Sequence, residues 1–180
     1  MEEQATVQWS DRDHLPVAVV VATGSDGKVE VQGVVAGKRF ASAERSVTRM
    51  RSGPEGTLDL WSGYRLRLHK DQAEAYYLNI RADAPTIFVI GRHEPEGFAP
   101  QVVTVSLDEA QNLDATELRD PRDAIFRVAM PGEIYRWVEA FVLNHYEPRR
   151  KGGKGRGKRR SRAAYDAEVG DYAGPGEGQQ

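Results

Sequence analysis

Leu58–Arg92 reads LDLWSGYRLRLHKDQAEAYYLNIRADAPTIFVIGR, and its punctuation decides what the rest of the chain must build around. In Tyr64–His69 the residues alternate: Tyr64, Leu66 and Leu68 on one side, Arg65, Arg67 and His69 on the other, the period of a half-buried strand. Asp71 then offers a side-chain oxygen to the free N–H groups of a helix, and Glu74 three residues later can reach back, which predicts a capping box. Ala73, Tyr76 or Tyr77, and Ile80 recur at helical spacing, leaving Gln72, Glu74 and Asn79 free for water or a partner. Ala84-Pro85 ends the helical stretch, because a residue before proline is pushed out of the helical region. Thr86–Ile90 is a continuous β-branched and aromatic run that suits a strand covered on both faces.

If both strands lie in one sheet, a helix of about ten residues, some 15 Å long, is enough to return the chain for parallel pairing. The expectation is therefore a βαβ crossover. It would gather His69, the Asp71 helix start and Arg92 at the carboxyl end of the strands, where open sheets commonly bind ligands.

Working outward, Pro16–Thr23 is a strongly β-branched run, and Gly24-Ser25-Asp26-Gly27 is turn chemistry into a second strand over Lys28–Val35, together a hairpin. Residues 37–56 carry Lys38, Arg39, Arg45, Arg49 and Arg51 with few large apolar side chains. They read as a mobile loop with room for a short helix over Ala43–Met50. Leu58–Trp61 resumes strand alternation, with Ser62-Gly63 a tight turn into Tyr64–His69. After Arg92, His93–Pro100 reads as a loop and Gln101–Ser106 as a strand. Ser106 and Glu109 form a second capping-box pattern opening a helix to about Leu113. Asp114–Asp123 reads as a loop, Ala124–Val128 as a short strand, and Met130-Pro131 introduces a helix over Gly132–Tyr146. Its apolar stripe runs through Ile134, Trp137 or Val138, Phe141 and His145.

The fold class expected is α+β: a single mixed sheet of about five to seven strands, two or three packed helices and a disordered C-terminal tail. Residues 1–14 form a flexible start, 15–147 one domain, and 148–180 the tail, in a chain of 180 residues that are 39% apolar. The absence of cysteine excludes disulfides, thiolate metal sites and cysteine nucleophiles. With neither a secretory leader nor an apolar run of membrane-spanning length, a cytoplasmic address is expected.

Charge is unevenly spread. Residues 1–148 hold sixteen cations against twenty-three acids, whereas 149–162 hold nine cations and no acid, and 163–180 four acids and no cation. Arg149, Arg150, Lys151, Lys154, Arg156, Lys158, Arg159, Arg160 and Arg162 can neutralise phosphates in a salt-dependent, sequence-independent way, or meet an acidic protein face. No aromatic is interleaved among them, which disfavours base stacking. Gly152, Gly157 and Lys158 match part of a phosphate-binding loop, but Arg159 stands where a hydroxyl belongs and no strand precedes.

The four histidines, His14, His69, His93 and His145, show no metal-ligand spacing, so no metal and no cofactor are expected. No serine sits in a nucleophile elbow and no acid–base pair stands out, so no catalytic residue is assigned. His69, Glu74, Asn79 and Arg92 form the candidate partner- or anion-binding set, a cation pair beside a helix start. The plainer alternative is that Glu74 completes the cap and Arg92 closes a strand end.

LRLHKDQAEAYYLNI, APTIFVIGR, VTVSLDEAQNL and VAMPGEIYRWVEAFVLNHYEPRRK, in that order and spacing, resemble an uncharacterised bacterial family, domain of unknown function 3305. The resemblance covers about Leu15–Lys151. His69, Glu74, Tyr76, Asn79, Pro85, Arg92, Glu109-Ala110 and Met130-Pro131 carry it. Members of that family are typically encoded beside a molybdenum formate dehydrogenase and its maturation proteins. The resemblance thus implies a non-enzymatic accessory protein that docks on a dehydrogenase subunit or maturation factor. Two alternatives stand beside it: a nucleic-acid-associated protein acting through the basic tail, and a small-anion-binding enzyme at His69/Arg92.

Overall fold

The β-branched run near the N-terminus becomes the first strand of the computed structural model, which describes residues 14–115 and 122–148. β1 (His14–Gly24) pairs antiparallel with β2 (Val29–Ala36), as the turn chemistry between them predicts. Gly27 supplies the left-handed backbone (φ 78°) of that turn, and the Lys28 amide donates to Asp26 Oδ1 at 2.9 Å.

β3 (Ser46–Gly53) corrects the mobile loop and short helix read over 37–56. All eight of its residues are exposed, so it has no apolar alternation to betray it, and it is held by its ladder to β4 (Gly56–Arg67). β4 is also longer than expected, because Ser62-Gly63 is a bulge inside one strand and not a turn between two. Val17 pairs with Tyr64 and Val19 with Trp61, so two residues of β4 oppose Ala18 alone. Gly63 has φ 90°, and a Cβ there would stand 2.5 Å from the Glu44 carbonyl oxygen, so only glycine fits. The first sheet has the order β2-β1-β4-β3.

α1 (Ala73–Ile80) follows, and then β5 (Thr86–Glu94), β6 (Gly97–Thr104) and β7 (Asp123–Ala129) build a second sheet in the order β6-β5-β7. Every pairing in both sheets is antiparallel. The parallel crossover is therefore not formed: α1 carries the chain from one sheet to the other. The TIFVI run is buried on both faces as its composition predicts, but between antiparallel neighbours. Ile87 and Val89 enter the main core, while Phe88 and Ile90 pack with Ala110 of the second helix, so a strand between antiparallel neighbours is covered on both faces. The α+β class stands, with seven strands and three helices among the described residues, but two antiparallel sheets replace the single mixed one.

His93–Pro100 is a tight hairpin and not a loop, with Gly97 (φ 129°) at its corner and Pro100 fully buried in β6. Gly91 is required opposite it, since a Cβ there would lie 2.1 Å from Phe98 Cζ.

The face expected of α1 is the one buried: Ala73, Tyr76 and Ile80. Its Asp71/Glu74 cap is not formed, because the chain enters through a 3-10 turn over Lys70–Gln72, and neither His69 nor Gln72 makes a side-chain cap bond. The Tyr76 hydroxyl instead accepts the His69 amide at 3.1 Å, tying the end of β4 to the helix. α2 (Leu107–Ala115) carries half of its predicted box: the Glu109 amide donates to Ser106 Oγ at 3.1 Å, but Glu109 Oε2 accepts the Thr104 hydroxyl at 2.6 Å, and the Ser106 amide goes to Thr104 Oγ1 in its place. α3 (Gly132–His145) is preceded by Pro131 and buries Ile134, Val138, Phe141 and Val142. Burying each such side chain contributes about 1.5–3 kcal/mol, and α3 shares one core with α1 and both sheets. Among the described residues no helix is long and apolar enough to cross a membrane. The expected flexibility of residues 1–13 and of the tail beyond Pro148 falls outside the described residues.

Candidate functional site: a cationic groove at the seam of the two sheets

β3 ends its pairing at Ser62, so the last turn-free stretch of β4 has β1 on one side only and meets the second sheet on the other. Three contacts hold that seam. The buried Tyr64 hydroxyl donates to the Pro100 carbonyl at 2.8 Å. Arg45, from the β2–β3 connection, donates through Nη1 to Gln101 Oε1 at 3.1 Å and through Nη2 to the Gln101 carbonyl at 2.8 Å. Its guanidinium also lies 4.9 Å from the centre of the Tyr64 ring, a cation–π contact. Burial raises the Tyr64 pKa above its ordinary value, with Arg45 pulling partly the other way, so the hydroxyl stays a neutral donor.

A groove of about 600 Å³ opens along this seam. The alternation read in the sequence governs it: with Tyr64, Leu66 and Leu68 in the core, Arg65, Arg67 and His69 are exposed on the opposite face. All three line the groove, facing Gln101, Val102 and Val103 of β6, and Glu109 reaches in from α2. Thr104 fixes Glu109, because its hydroxyl donates to that carboxylate while accepting the Ser106 amide at 3.0 Å. Neither Arg65 nor Arg67 forms an ion pair with an acid among the described residues. The groove thus carries arginine donors in excess of acid, and such donors make strengthened hydrogen bonds to negative groups.

Of the set chosen from sequence, His69 alone lines this groove; the antiparallel topology removes the sheet end that was to join it to Arg92. Arg92 lies on β5 opposite Asp123, with Nε and Oδ1 2.7 Å apart. Glu74 is exposed on α1. Asn79, read as open to water or a partner, has its amide committed: it donates to the Thr86 and Val105 carbonyls at 2.8 and 2.7 Å and accepts the Thr86 amide at 2.9 Å. It is a clasp between α1 and the second sheet. Arg65, Arg67 and Arg45 were the residues passed over, although the alternation had already set the first two beside His69. The nine tail cations lie outside the described residues, and among the described ones no three His, Asp or Glu side chains gather to hold a metal ion.

A second, apolar hollow of about 280 Å³ lies between α1 and α2, with Leu78, Ala82, Phe88 and Leu107 in its walls. No curated protein and no solved structure matches the chain. Residues 1–156 match the model of a family described as protein of unknown function (DUF3305), and over that length, which takes in both sheets, all three helices and the groove, the chain belongs to this family.

Proposed function

We propose that this is a non-enzymatic accessory protein that docks on a partner through the seam groove, and that the partner is a subunit or maturation factor of a molybdenum formate dehydrogenase. The observation that carries the docking reading is the exposed row of Arg65, Arg67 and His69 facing the single acid Glu109. Such a row offers a partner's negative groups several attachment points along one line. Family membership supports the choice of partner through the genetic neighbourhood the resemblance implies. The cytoplasm, where such a dehydrogenase is assembled, is the compartment proposed.

Affinity capture from cells expressing the dehydrogenase tests this. Recovery of a dehydrogenase subunit or maturation factor, with enzyme activity reduced in a deletion strain, is the expected result. Capture of neither, together with normal activity in the deletion strain, overturns it.

A second reading rests on the nine cations of residues 149–162: contact with nucleic acid through phosphate neutralisation. Titration of RNA and DNA at several salt concentrations, with and without residues 149–180, decides it. A steep salt slope that vanishes on truncation supports this second reading, and binding indifferent to the truncation removes it.

A further inference from the structure

We propose that the seam groove binds an extended acidic segment of a partner protein, with Asp or Glu at alternate positions laid along β4. This rests on the docking reading above and gives the partner its chemistry. Arg65 and Arg67 leave the same face of one strand two residues apart, and His69, with extended backbone (φ −116°, ψ 135°), continues the row. At a rise of about 3.3 Å per residue, neighbouring side chains of the row are spaced roughly 6.5–7 Å along a line. A single small anion cannot meet all three. An extended peptide repeats its side chains with the same period, so alternate carboxylates fall in register with the row.

The far wall fits the same ligand. Gln101 is anchored by Arg45, which fixes the edge of β6, and the one acid that lines the groove among the described residues, Glu109, is turned toward Thr104. A single-stranded nucleic acid has a comparable charge spacing, but it binds by stacking bases on exposed aromatic rings. Among the described residues the groove's one phenol ring, Tyr64, is buried and covered by Arg45, which leaves the small imidazole of His69 as its one exposed ring and no run of rings for successive bases. The geometry therefore favours a peptide.

The test uses the full chain and a short fluorescent peptide of alternating Glu and Thr. A second peptide of the same composition with its glutamates contiguous, and an oligothymidine of similar length, serve as competitors. The alternating peptide binds at least about tenfold more tightly than the contiguous one. The double variant Arg65→Glu/Arg67→Glu abolishes that preference, and the milder Arg65→Gln/Arg67→Gln, which adds no repulsion, reduces it. Replacing Arg159 and Arg160 by serine weakens both peptides alike and leaves the preference in place.

Equal binding of the two peptides, a preference unchanged in the double variant, or displacement of the peptide by oligothymidine at lower concentration would each overturn the proposal. Failure here is distinguishable from failure of the dehydrogenase reading. Dehydrogenase captured equally by wild type and double variant removes the groove as docking site and keeps the partner. Register-dependent peptide binding without any dehydrogenase capture does the reverse.

Discussion

β4 and β5 are neighbours in sequence and opposites in use. β5 is covered on both faces, by the main core through Ile87 and Val89 and by Ala110 of α2 through Phe88 and Ile90. β4 beyond its bulge, with the extended residues that follow it, buries Tyr64, Leu66 and Leu68 and displays Arg65, Arg67 and His69. A strand buried twice can only hold the molecule together, whereas one buried once has a face left for a partner. Substitutions on β5 are therefore expected to cost stability, and those on the displayed face of β4 to cost binding with the fold intact.

The largest effect falls on β5. Ile87→Ala empties a fully buried site and lowers stability by about 3 kcal/mol, read from the urea midpoint. A cost under about 1 kcal/mol would mean that the main core can close over the gap. Next comes the clasp between α1 and the second sheet: Asn79→Ala leaves the Thr86 amide and two carbonyls without their partner and costs about 2 kcal/mol.

Tyr76→Phe, which deprives the His69 amide of its acceptor at the exit of β4, costs about 1 kcal/mol near neutral pH. This tyrosine adds a pH signature. Burial, opposed by the His69 bond and reinforced by the charges of Glu109 and Asp71, raises its pKa from 10.0 to about 12. The group is protonated in the fold at pH values where the unfolded chain already ionises. Its contribution is thus fully present below about pH 10 and is lost as pH climbs toward 12. Denaturation series across that window should show a shallower decline in the Phe variant, and identical slopes would contradict the assignment. The smallest effect is on the displayed face of β4, where Arg65→Gln and Arg67→Gln each stay within about 0.5 kcal/mol of the wild type.

The same contrast explains what could be read from the chain. Burial writes a pattern: the β1–β2 hairpin, the face of α1, the doubly covered β5 and α3 are legible from where apolar residues fall, and the Ser106 cap from a hydroxyl three residues before Glu109. β3 is not, because Ser46–Gly53 is exposed on both sides and is held to β4 by its backbone ladder and the Arg49–Asp59 ion pair, neither of which leaves an apolar pattern. The sheet to which β5 belongs was not legible either. A run covered twice is equally consistent with a parallel sheet under helices and with an antiparallel sheet packed between a core and α2. That ambiguity displaced the candidate site: Arg92 was placed beside His69 by a crossover the chain does not make, while Arg65 and Arg67, two and four residues before His69, needed only the alternation already seen.

Binding of the alternating Glu–Thr peptide to wild-type and Arg65→Glu/Arg67→Glu chains, with the unfolding midpoint measured on the same samples, tests the division of labour between the two strands most directly. The account predicts a loss of affinity of at least about tenfold at an unchanged midpoint. Affinity retained in the variant, or lost only in step with a fallen midpoint, would contradict it.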